Sequence, residues 1–137
     1  MSKVICANCS TALKPYQTKY CSNKCQKEHE YIKYIIDWRA GKLSGQRGTN
    51  TKNFSRHVVR YLYEKCNSQC SSCGWSTPHP DTGKPPLEID HIDGKADNNT
   101  EDNLRLLCPN CHALTPTHRN RNIGNGRLWR KRKYMIQ

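Results

Sequence analysis

The sequence has a single phenylalanine in 137 residues, and only 34% of its residues are hydrophobic. With a mean hydropathy of −0.96, a chain this short and polar buries little apolar surface, which excludes a core large enough to hold the fold by itself. No apolar run approaches the roughly 20 residues of a membrane span. The start, Met1-Ser2-Lys3-Val4-Ile5-Cys6, lacks the apolar stretch of a secretory signal. A cytoplasmic location with no membrane partner is therefore expected, and in that compartment disulfides are disfavoured. Acidic residues are scarce too: 11 against 23 Lys+Arg, giving a net charge of +12, and none follows Asp102. Such a charge says little about fold but points to phosphate backbones, so nucleic acid is the expected partner.

What the chain does have is nine cysteines. Cys70-x2-Cys73 and Cys108-x2-Cys111 are two knuckles of the kind that give paired thiolates to a tetrahedral Zn2+. Their separation exceeds that of a short finger and suits a hairpin inserted between the knuckles. Cys6-x2-Cys9 and Cys21-x3-Cys25 form a second quartet. His29 could replace Cys25, but four thiolates are the preferred set, with His29 as a solvated helix residue. Cys66 is left over and reads as a core thiol. Two structural Zn2+ ions are expected, each with all four positions filled and none open to a water.

The organisation follows. A helical pattern covers about 23–40, with Tyr31, Ile32, Ile35, Ile36 and Trp38 near one stripe and Gly41 as its stop. Residues 1–40 read as an N-terminal zinc finger plus helix, and 41–52, rich in Gly, Ser, Gln and Thr, as a linker. Ser55 can cap a second helix over 55–66, with Phe54 as a hydrophobic staple. After the Cys70 knuckle and a Pro/Gly-rich loop, Leu87–Asp90 alternates like a strand. A polar turn over 93–100 leads to a second strand, Leu104–Leu107, and Pro109 can open a short helix carrying Cys111 and His112. The fold class expected is a small, zinc-stabilised α+β protein.

Within that strand–loop–strand–helix order lies a set of residues suited to phosphodiester hydrolysis. That reaction needs an activated water, a charge sink for the leaving oxygen, and orientation of both. His91 is the candidate base, and Asp90 with His112 suits a divalent ion with open positions. Strand neighbours start on opposite faces, so Asp90 can bind metal while His91 points at water. Asn103, across the hairpin, can fix the loop that carries His91. His112 directly follows Cys111, which would tie the zinc knuckle and the second metal into one scaffold.

Leu87-Glu88-Ile89-Asp90-His91-Ile92-Asp93-Gly94, with Asn103-Leu104-Arg105-Leu106-Leu107-Cys108-Pro109-Asn110-Cys111-His112, resembles the HNH nuclease family, above all its zinc-bracketed, phage-encoded and homing-type members. The resemblance covers residues 70–118. It implies a ββα-metal finger, His91 as general base, Asn103 orienting it, and Asp90 and His112 as ligands of one catalytic Mg2+ or Mn2+. Double-stranded DNA would be the substrate and a 5′-phosphate and 3′-hydroxyl the ends left. An HNH nuclease domain over 53–118 is expected. Some relatives use a second helix histidine four residues on. His118 is six from His112, beyond Pro116, so a phosphate contact suits it better.

A basic tail, 119–137, follows. Arg119, Arg121, Arg127, Arg130, Lys131, Arg132 and Lys133 are its candidate DNA-binding residues, with the basic residues of the 52–65 helix beside them. With no heptads to force dimerisation, a monomer or weak dimer is expected, nicking or cutting both strands. The alternative function is a non-catalytic zinc-finger DNA-binding protein. It accounts for charge and cysteines but leaves the spacing of Asp90, His91, Asn103 and His112 as coincidence.

Overall fold

The computed structural model describes residues 2–49, 51 and 53–122. They fall into two compact units, with the break between Leu43 and Ser44. Among the described residues, no helix is long and apolar enough to cross a membrane.

In the first unit a tight turn carries Cys6 and Cys9. Its backbone closes through Cys6 N–H to Thr11 O at 2.8 Å and Leu13 N–H to Val4 O at 2.9 Å. Helix α1, Asn23–Arg39, then starts from Ser22, whose hydroxyl accepts from Cys25 N–H at 3.2 Å. Satisfying an otherwise orphaned first-turn amide in this way fixes the helix start beside Cys21 and Cys25. The helix ends at Ala40 with Gly41 in the left-handed region at φ 78. There Gly41 N–H reaches Trp38 O and Lys42 N–H reaches Asp37 O, the paired closure for which glycine carries no steric penalty. Tyr31, Ile35 and Trp38 are the buried residues of α1. Ile32 and Ile36, read near the same stripe, are exposed.

In the second unit, within and beside the stretch read as a linker, Gln46 bridges to Phe54, and Ser55 N–H bonds Gly45 O at 2.9 Å. Helix α2, Arg56–Lys65, is capped by the Ser55 hydroxyl and buries Val58 and Leu62, one turn apart. Cys66, expected in the core, is the half-buried residue at the helix end, its Sγ against Tyr63 O at 3.8 Å. Strands β1, Glu88–His91, and β2, Leu104–Leu107, form an antiparallel pair with Asp90 opposite Arg105 and His91 opposite Leu104. Leu106 and Leu107 are each 1% exposed, and Leu107 packs with Cys70 and Cys108. Burying these leucines anchors the hairpin on the cysteine knuckles. Helix α3, Pro109–Ala113, has Cys108 as its N-cap and Pro109 in its first turn, where a missing N–H costs nothing. A 3-10 turn, Arg119–Asn122, follows.

The result is a small α+β architecture: a two-stranded sheet, three α-helices and two cysteine quartets among the described residues.

Candidate functional site

Two groups of four sulfurs gather without forming disulfides. Cys6, Cys9, Cys21 and Cys25 make one, and Cys70, Cys73, Cys108 and Cys111 the other, with the sulfurs of each within 4.8 Å of one another. Spacings of 3.5 Å for Cys9–Cys21 and Cys21–Cys25 and 3.8 Å for Cys73–Cys108 suit a tetrahedral ion. Four ligands at about 2.3 Å from zinc stand about 3.8 Å apart. His29 is outside the first quartet and packs against Tyr20, ring centroids 5.5 Å apart, rather than being a free surface residue.

The electrostatics of the sulfurs fit the same reading. The backbone amide of Cys9, with those of Cys21 and Asn8, lowers the Cys6 thiol to about 6. Cys70 also falls to about 6: burial opposes the charge, but the amides of Cys108, Cys73 and Ser72 outweigh it. By contrast, Cys111 is pushed up to about 12 by the sulfurs of Cys108 and Cys73. Cys21 is pushed up to about 12 by Cys25 and Cys9. Thiolates crowded together repel further ionisation unless a cation is among them, so each quartet can hold a metal ion.

The hairpin carries the second centre. Its register sets Asp90 and Arg105 side by side, and Arg105 Nε donates to Asp90 Oδ2 at 2.8 Å. Asp90 is only 5% exposed. Its other oxygen, Oδ1, lies 3.7 Å from His112 Nε2. Two ligands about 2.1 Å from one hard cation stand about 3 Å apart when adjacent and about 4 Å when opposed, so this pair fits a shared divalent ion. Glu88, two residues before Asp90 and therefore on the same face, bonds His112 Nδ1. A proton donated from Nδ1 to Glu88 leaves the Nε2 lone pair facing Asp90.

His91 is turned the other way along the strand. Its Nε2 pairs with the Oδ1 of buried Asn99 at 2.7 Å, and its ring lies 5.7 Å from that of Phe54. With the Nε2 proton on Asn99, Nδ1 keeps the lone pair a base requires. Asn103 binds the loop after His91 three times. Its Nδ2 donates to Asp93 Oδ1 and to Asn98 O, both at 2.8 Å, and its Oδ1 accepts from Asp93 N–H at 3.0 Å. The Asp93 carboxyl also accepts from Asn98 Nδ2 and Lys95 N–H. These bonds, Asn98's foremost, hold it below its usual range.

Asp90, His91 and His112 line one small cleft of about 100 Å3 together with Gly94, Ala96, Thr117 and Asn122. His118 packs edge-on against His112, ring centroids 4.8 Å apart. Arg119 and Arg121 lie on the 3-10 turn beside the cleft and are exposed. Arg127, Arg130, Lys131, Arg132 and Lys133 fall outside the described residues. Sequence reasoning missed Glu88, Asn99, Arg105 and Asn122. Glu88 and Arg105 had a signal in strand alternation and register, Asn99 and Asn122 had none.

These features define a class: a small α+β module clamped by cysteines, with an acid–imidazole pair and a second imidazole in one cleft. Comparison with known proteins shows what it is similar to. Residues 70–115 match the HNH endonuclease family. The chain is also 58% identical over 57 residues to the H-N-H endonuclease F-TflIV of Escherichia phage T5, a match covering 41% of this chain and 24% of that protein. The chain thus spans about a quarter of that relative. No solved structure matches.

Proposed function

We propose that the chain is a metal-dependent HNH endonuclease hydrolysing phosphodiester bonds of double-stranded DNA, acting in the cytoplasm as a monomer or weak dimer. The observation that carries it is the shared cleft of Asp90, His91 and His112 inside the segment matched to the family. The name of the phage relative, an endonuclease, supports the activity, and a net charge of +12 supports the substrate.

In this reading residues 87–113 are a ββα-metal finger and both quartets hold structural zinc. Asp90 Oδ1 and His112 Nε2 hold one Mg2+ or Mn2+, which supplies charge stabilisation to the leaving oxygen when bound. Arg105 keeps Asp90 aimed, and Glu88 sets the His112 tautomer. His91 takes a proton from the attacking water at Nδ1, with Asn99 holding the opposite nitrogen. Asn103 keeps the loop after His91 in place, so the base does not swing away. Arg119, Arg121 and the basic residues beyond them bind phosphates.

Cleavage of supercoiled plasmid with Mg2+ or Mn2+ tests it, comparing wild type with His91→Ala after mass spectrometry confirms two zinc ions in each. Nicked or linear product from wild type, with a variant that binds but does not cut, is expected. If both bind and neither cuts, the chain is a zinc-finger DNA-binding protein without catalysis.

A further inference from the structure

Asn122 sits at the end of the 3-10 turn, ten residues beyond His112, and is absent from the residues the motif supplies. Its Nδ2 donates to Gly94 O at 2.6 Å, which fixes the amide's orientation, since the flipped rotamer would set two oxygens against each other. Its Oδ1 is buried and, among the described side-chain atoms, is the buried oxygen or nitrogen with no hydrogen-bond partner. The residue lines the cleft of Asp90, His91 and His112. Gly94 permits the approach: a Cβ there would stand 2.7 Å from Asn122 Oδ1 and 2.6 Å from Thr117 Cγ2.

A buried acceptor left unpaired costs about 1–3 kcal/mol, so its identity as an acceptor restricts what belongs beside it. Phosphate oxygens only accept, so DNA backbone cannot satisfy it. A cleft of about 100 Å3 suits a group of the size of a water or a small ion. What remains is a cation or a water carried by one. An amide oxygen is also a hard donor of the kind Mg2+ and Mn2+ accept.

We propose that Asn122 is part of the divalent-ion centre, its Oδ1 holding the hydrated ion beside Asp90 and His112. This rests on the reading of Asp90 and His112 as ligands. It also gives the 3-10 turn a role: the turn brings a third group to the ion from outside the hairpin and helix.

The test is Mn2+ binding to the zinc-loaded chain without DNA, by calorimetry and by Mn2+ paramagnetic resonance. Wild type, Asn122→Ala, Asn122→Asp and Asp90→Ala are compared, with zinc content checked in each. Asn122→Ala is expected to bind at least about tenfold more weakly. Asn122→Asp, which keeps an oxygen but loses the amide donor to Gly94, is expected to bind as tightly as wild type or more so. Unchanged affinity in Asn122→Ala overturns the proposal while leaving Asp90 and His112 as ligands, provided Asp90→Ala loses binding. Asn122→Asp as weak as Asn122→Ala also overturns it, since the residue then acts only as a clamp on Gly94. No Mn2+ binding by wild type removes this inference together with the metal centre itself. Should Asn122→Ala lose its zinc, Asn122→Asp alone decides by the direction of its change.

Discussion

Arg105 Nε meets Asp90 Oδ2 at 2.8 Å across the hairpin, while Asp90 Oδ1 is turned toward His112. One carboxylate is thus divided between a cation of the fold and the face where a divalent ion fits. Arg105→Ala leaves an almost fully buried carboxylate without its partner. It is expected to cost about 2 kcal/mol, measured by urea unfolding at fixed zinc, and to lower cleavage further than it lowers DNA binding. Unchanged stability would show that Arg105 does not hold Asp90.

Gly94→Ala tests the close approach of the loop to the 3-10 turn. The added methyl would stand 2.6 Å from Thr117 Cγ2, and the native φ of 72 disfavours any side chain. A loss of about 1–3 kcal/mol is expected, with faster amide hydrogen exchange over residues 92–98. Wild-type exchange rates there would mean that the loop does not depend on that approach.

Zinc loading should release protons. Cys111 and Cys21 stand at about 12, so each holds its proton at neutral pH until a metal displaces it. Calorimetry of zinc uptake at pH 7.5 in buffers of different ionisation enthalpy should give heats that depend on the buffer. Acidification should expel zinc, since protons compete for the same sulfurs. Buffer-independent heats would contradict this.

Asp93 has a lowered carboxyl, so its contribution is fully present above the unfolded value of about 3.9 and is lost as pH falls through the lower folded value. The stability gap between wild type and Asp93→Asn should therefore be flat from pH 5 to 8 and narrow only in strong acid. A gap that titrates between pH 6 and 7 would assign the effect to another group.

Much of this architecture was legible in local patterns. The stripe in α1, the Ser55 start, the Gly41 stop and the Pro109 start each depend on residues within a turn or two of one another. The cysteine spacings carried the quartets for the same reason: a knuckle is a local device. Ile32 and Ile36 share the stripe of Tyr31, Ile35 and Trp38 yet are exposed, and Cys66, read as a core thiol, is half-buried at the end of α2, since periodicity gives the direction of a face but not how wide a partner covers it.

The sequence by itself determined the charge, the eight clustered thiols and the order strand, loop, strand, helix, because these are properties of composition and short-range spacing. The tertiary structure decided which atoms of Asp90 and His112 face each other, that Glu88 and Arg105 serve them, that Asn99 takes one nitrogen of His91, and that Asn122 enters the cleft. Those pairings depend on hairpin register and on a chain returning after Pro116. Register is fixed by the burial of Leu104, Leu106 and Leu107, a cooperative outcome of packing that no single stretch of residues encodes.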